Sequence, residues 1–176
     1  SPPHPMSEIP IPDLDDPKEI YAFAGLALYN ANLVEASLVN LAAVLQLGRV
    51  QAITRELFDE IFEKLETKTL GKLLKATRSL TTVPSEIDLV LSRTLDERNY
   101  LAHHFFRDHA GDITHDAGYA LMIERLRSMI QLFKEADDLI TPIYLSLWKK
   151  YGVDDSFIER ELAEMRREVE AKYGGL

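Results

Sequence analysis

The chain has 176 residues, 46% of them hydrophobic, and its 29 acidic against 20 basic side chains give a formal net charge of -9. That length can bury one substantial core in one compact domain, and the acidic balance argues against a broad basic surface for nucleic acid, so any RNA contact must be local. The lack of cysteine excludes disulfides, thiol catalysis and thiolate metal sites; no apolar run approaches the roughly 20 residues of a membrane span, nor is there a secretory signal pattern, so a cytoplasmic protein without a membrane role is expected.

Residues 1–15 carry prolines at 2, 3, 5, 10 and 12 and read as an extended arm, with Met6 a candidate natural start and Ser1 to Pro5 a non-native lead. Residues 16–176 read as one helical bundle. Asp16-Pro17 has the form of an N-cap followed by a first-turn proline. From there Ala24, Ala27, Leu28, Ala31, Val34, Leu38, Leu41, Ala42 and Leu45 recur at a period near 3.6, predicting a long core helix to about Gln46. At about 100° per residue, Glu35 falls on the buried side of that stripe, beside Ala24, Ala31 and Ala42. A carboxylate there requires a cationic partner.

Leu47-Gly48 ends the first helix, and Thr54 to Leu65 and Thr69 to Leu80 form the second and third. Lys72, Lys75 and Arg78 make a small basic face on the third, most simply a solvated one. After Thr81-Thr82-Val83-Pro84, Ser85 and Asp88 resemble a capping box that opens a fourth helix over about 85–106. Its core face runs Ile87, Val90, Leu91, Leu95, Arg98, Leu101, Ala102 and Phe105, so Arg98 occupies a place where the pattern calls for leucine. A guanidinium so placed must meet a carboxylate, line a cleft or face another subunit, and Glu35 is the evident intramolecular partner.

Asn99 and His103, four residues apart, share a face with Leu95 and Phe106. Arg98 and His103 diverge by about 140°, so a site using both is more easily assembled across a two-fold dimer. Taken alone, the cluster reads most simply as a helix end, where cationic groups relieve the dipole. The loop Asp108 to Asp116 (DHAGDITHD) follows, with Gly111 as its turn residue. His109, Asp112, His115 and Asp116, with His103 and His104, could be imagined as divalent-metal ligands, but their spacing matches no established pattern and no metal is assigned. A long helix then runs from Ala117 to about Tyr151, where Thr141-Pro142 should kink or interrupt it. A last helix over about 154–173 carries one narrow stripe, Ile158, Leu162, Met165 and Val169, suited to the bundle edge or to a partner helix. The expected fold is all-α, an up-and-down bundle of about five to six helices.

Arg98-Asn99-Tyr100-Leu101-Ala102-His103 resembles the Arg-x4-6-His signature of the HEPN superfamily, including the polar residue that commonly follows the arginine. The long first helix with an inward acidic residue, and the motif late in a core helix, extend the resemblance coarsely from Asp16 to about Tyr151. It implies a HEPN-like bundle and a homodimer whose two motifs face each other across a cleft. It further implies metal-independent, cofactor-free RNA cleavage of toxin-antitoxin or phage-defence type. His103 would then act as general acid or base in attack of a ribose 2′-hydroxyl, Arg98 would stabilise the phosphorane-like transition state, and Asn99 would orient phosphate or imidazole. Glu35 would position Arg98, and His104 has no assigned role. Products would carry 2′,3′-cyclic phosphate and 5′-hydroxyl ends. The chain departs from the Arg-x4-His-x-Tyr subgroup at Phe105, which has no hydroxyl to adenylylate; this puts an antitoxin of nucleotidyltransferase type in doubt, though another antitoxin or regulatory protein remains open. The alternative is a non-catalytic helical interaction or regulatory protein in which Arg98 and Glu35 hold the core and His103 caps a helix; a small-ligand or metal-binding bundle is a third.

Overall fold

The computed structural model describes residues 8–174, so the first seven residues of the arm, with Met6, and the last two residues of the chain lie outside it. All regular structure among the described residues is helical: α1 (Glu19–Leu47), α2 (Arg55–Glu66), α3 (Leu70–Leu80), α4 (Ser85–His103), α5 (Phe105–Asp108), a 3-10 turn at Asp112–Thr114, α6 (Asp116–Lys149) and α7 (Asp155–Tyr173). The all-α expectation holds.

α1 is central, packed most extensively against α6 and also against α2, α3 and α4. Its direction relative to α6 follows from two cross-links. The Ile20 amide donates to the Tyr119 hydroxyl at 3.1 Å, and Ser37 Oγ donates to Asp137. Both chain numbers rise together, so α1 and α6 run parallel. α4 runs against both, since Arg98 meets Glu35 while Arg125 meets Glu97, and Ile87 and Leu91 line one apolar groove with Leu41, Leu45, Ile140 and Leu147. α3 also runs against α4, since Gly71 lies against Leu95 while Arg78 meets Asp88.

Fifteen of the 29 residues of α1 are buried, among them Ile20, Phe23, Ala27, Val34, Leu38, Ala42 and Leu47. Among the described residues α1 is also the one helix that is long and apolar enough to cross a membrane, by length and composition, which corrects the expectation that no such stretch exists. Burial against its neighbours accounts for that composition. Leu28, placed on the inner stripe from sequence, is exposed instead.

Several helix ends differ from expectation. Asp16 does not cap α1; its carboxylate accepts from the Lys18 amide at 2.8 Å and its carbonyl from the Tyr119 hydroxyl at 2.7 Å, and the helix begins two residues beyond Pro17. Ser85 is the first residue of α4, with Pro84 before it and no side-chain cap, so the Ser85 to Asp88 box does not form. Asp88 is taken instead by Arg78 of α3, at 2.7 and 3.1 Å. Pro142 lies within an uninterrupted α6. Both Pro142 and Asp138, whose carbonyl the proline leaves without a donor, are exposed, so that carbonyl is open to solvent. Thr54 and Asp154 cap α2 and α7 through the amides of Leu57 and Phe157. In the described part of the arm, Ile9 packs against the core rather than hanging free.

Candidate active site

The last two turns of α4 present the motif. Leu91, Thr94, Leu101 and, beyond the helix end, Phe105 are buried, which fixes how α4 rolls against α1 and α6. α4 stops at His103. The backbone of His104 leaves helical geometry (φ -128°, ψ -34°) while its amide still donates to the Tyr100 carbonyl at 2.9 Å, and the chain restarts as α5. The expected single helix to about residue 106 is therefore broken at His104. The break delivers Phe105 wholly into the core and leaves Phe106 half-exposed, with its ring 6.2 Å from that of Tyr21 on α1. Phe106 thus leaves the face of Asn99 and His103, and Ala102, expected inside, is exposed.

Arg98 and Glu35 are brought together as expected. Arg98 Nη2 lies 3.4 Å from Glu35 Oε1, with side chains 26% and 24% exposed. Arg98 Nη1 also donates to Asn99 Oδ1 at 3.3 Å. Glu35 Oε1 is itself buried and has no hydrogen-bond partner apart from this ion-pair contact. A partly sheltered pair of this kind fixes the guanidinium while leaving further donors for another group.

Asn99 and His103 are exposed, and His103 has no hydrogen bond or ion pair among the described residues, only an edge contact between its ring and that of His104. No hydrogen bond joins Arg98 to His103, in keeping with their divergence around one helix. His104 stacks on Tyr100 and its Nδ1 meets Arg107, making it the junction between α4 and α5.

A second polar group beside the motif was not found from sequence. His109 Nδ1 is 2.7 Å from Asp112 Oδ2, and His109 Nε2 is 3.4 Å from the Tyr100 hydroxyl. The i, i+3 spacing of His109 and Asp112 in the loop was the available signal. Burial, then the Asp108 carboxylate, pushes the Tyr100 hydroxyl above its ordinary range against the opposing charge of Arg125, so it remains a donor at neutral pH. Arg125 of α6 lies 5.7 Å from the Tyr100 ring centre and pairs with Glu97 at 2.7 Å. The loop donors do not converge: His109 is held by Asp112, His115 accepts from the Ala117 amide at the start of α6, and no group of three potential metal ligands forms among the described residues. On α3, Arg78 is committed to Asp88 and Ser92, which removes one of the three cations of the basic face.

The chain matches no protein-family model, no curated protein and no solved structure.

Proposed function

We propose that the chain is a metal-independent endoribonuclease with a HEPN-like bundle, of toxin or phage-defence type, acting in the cytoplasm as a homodimer on RNA. One observation carries the reading: a guanidinium anchored by Glu35 and Asn99 stands near the end of a core helix whose last residue, His103, offers a solvent-facing imidazole with no partner of its own. An imidazole titrates near neutrality and can both take and give a proton there. A fixed guanidinium with free donors suits a phosphate oxygen that gains charge.

In this mechanism His103 takes the proton of a ribose 2′-hydroxyl as its oxygen bonds to the adjacent phosphorus. The P–O5′ bond breaks, and the leaving oxygen receives a proton from the His103 of the second copy. Arg98 stabilises the charged transition state and Asn99 orients the phosphate. The products are a 2′,3′-cyclic phosphate and a 5′-hydroxyl. Glu35 acts as a positioning residue for Arg98, and His104 supports the helix end.

A second reading, a non-catalytic helical interaction protein, is favoured by the fact that Glu35 already neutralises Arg98 within an acidic chain. Purified protein incubated with RNA in EDTA separates the two. Cleavage by the wild type, lost in His103→Ala and Arg98→Ala while His103→Ala keeps its thermal unfolding, supports the nuclease. Equal behaviour of all three leaves the interaction protein.

A further inference from the structure

α7 is a helix without a bundle. None of its residues is buried, and it forms no substantial contact with another helix. It is tied to the rest near its first turn, where Phe157 and Ile158 border a hollow lined by Phe58, Phe62, Tyr144 and Trp148. Beyond that, Leu162, Met165, Val169 and Tyr173 are 45%, 59%, 53% and 56% exposed.

Ile158, Leu162, Met165 and Val169 are spaced four, three and four apart, the alternation of d and a positions in a heptad. In that register Glu161 and Glu168 fall at g, and Glu159 and Arg166 at e. Two arginines off the seam are used within the helix: Arg167 pairs with Glu164, and Arg160 lies over the Phe157 ring. Glu161, Arg166 and Glu168, which flank the seam, have no ion pair among the described residues.

We infer that α7 is a self-association element that pairs in parallel with the α7 of a second copy, burying Leu162, Met165 and Val169 in the seam. The argument for that occupant is charge. In a parallel two-stranded coil each g residue faces the e residue five positions on in the other strand, so Glu161 meets Arg166 of the second copy twice per dimer. An antiparallel pair would keep an attraction, Glu159 with Arg166, but would set Glu161 against Glu168 along the exposed seam, whereas the like-charge contact of the parallel pair lies before that seam begins. The parallel arrangement brings Asp154 opposite Glu159, but at the capped start of the helix, before the exposed seam, where Asp154 accepts from the Phe157 amide. A β-branched valine at an a position also suits two strands. A membrane surface suits this helix less well, because its apolar stripe is narrow and it carries six acidic side chains against four basic ones. α6 is roughly 50 Å long, with the motif near its beginning and α7 beyond its end, so this contact is separate from the motif face and does not depend on the nuclease reading.

The test is sedimentation of the full chain across concentration for the wild type, Leu162→Glu, Glu161→Arg, Arg166→Glu and an equimolar mixture of the last two. All the changed side chains are exposed, and unchanged thermal unfolding checks the bundle. The wild type should associate through α7, Leu162→Glu should remove that step and leave at most the motif-face dimer, and each charge reversal should weaken the α7 step about tenfold. The mixture should restore it, since one strand then offers two arginines and the other two glutamates. A monomeric wild type, or association unaltered by Leu162→Glu, overturns the proposal. Strengthening by Glu161→Arg overturns the parallel arrangement. Binding of a monomeric wild type to phosphatidylcholine or phosphatidylserine vesicles assigns the stripe to a membrane and overturns the pairing.

Discussion

Glu35 of α1 reaches Arg98 of α4 at 3.4 Å across the packed faces of the two helices, and the same guanidinium donates to Asn99, its neighbour in sequence. The pair therefore serves the fold and the proposed chemistry at once. Each side chain is about three-quarters covered, so the interaction lies between an exposed pair and a fully buried one. Glu35→Gln should destabilise by about 1 kcal/mol, and a double-mutant cycle with Arg98→Met should give a coupling of about 1 kcal/mol. A coupling of zero in denaturant unfolding would show that the contact contributes nothing to stability.

Thr94, one turn before Arg98, is fully buried, and its hydroxyl has no hydrogen-bond partner. An unsatisfied buried hydroxyl is a cost that a methyl group of similar shape removes. Thr94→Val should raise stability by about 1 kcal/mol without changing the denaturant slope. A loss of stability would show that this hydroxyl is satisfied in solution.

Gly118 marks where the loop after the motif closes on α6. A Cβ there would stand 2.4 Å from the Asp112 carbonyl oxygen and 2.8 Å from the Asp112 Cα. Glycine to alanine in an open helix position stabilises by roughly 0.5–1 kcal/mol. Gly118→Ala should instead destabilise by about 2 kcal/mol, because backbone must move. Calorimetry reads the sign directly, and a raised melting temperature would contradict the close approach.

Tyr100 gives a pH signature. Its hydroxyl is held above its ordinary value of 10.0 by burial and by Asp108. The native state therefore keeps the proton over a range in which the unfolded chain has begun to lose it. Any stability of the wild type relative to Tyr100→Phe should be fully present below the ordinary tyrosine value. It should fall as pH rises through the elevated native value. Unfolding curves at alkaline pH should show that difference shrinking, and a constant difference would contradict the shift.

How much of this was legible in the sequence depended on which forces a one-dimensional pattern records. Apolar periodicity located α1, α2, α3, α4, α6 and α7 within a few residues, because burial of one face imposes that spacing. The misplaced charge at Arg98 and the inward carboxylate at Glu35 were readable for the same reason, and their pairing followed from the cost of burying either alone. Competition for polar groups was not readable. Asp88 looked like a capping residue, but Arg78 ten positions earlier claims it. The end of α4 at His104 was missed because Phe105 fits the core stripe of a continuous helix, so its burial carries no sign of the break. The link from Tyr100 through His109 to Asp112 needs the chain to turn back after α5, and only the loop's own spacing hinted at half of it. Leu28 shows the opposite error, an apolar side chain that fits the stripe and remains at the surface.

The central claim is that His103 moves protons at a ribose 2′-hydroxyl. Its most direct measurement is the cleavage of a defined RNA in EDTA beside the same RNA carrying a single 2′-deoxy residue at the cut position, with His103→Ala run in parallel and end groups identified by mass spectrometry. The account predicts cuts in the all-ribose strand with 2′,3′-cyclic phosphate and 5′-hydroxyl ends, silence at the substituted position, and no product from His103→Ala. An uncut ribose strand, equal cutting at the deoxy position, or an undiminished rate in His103→Ala would contradict it.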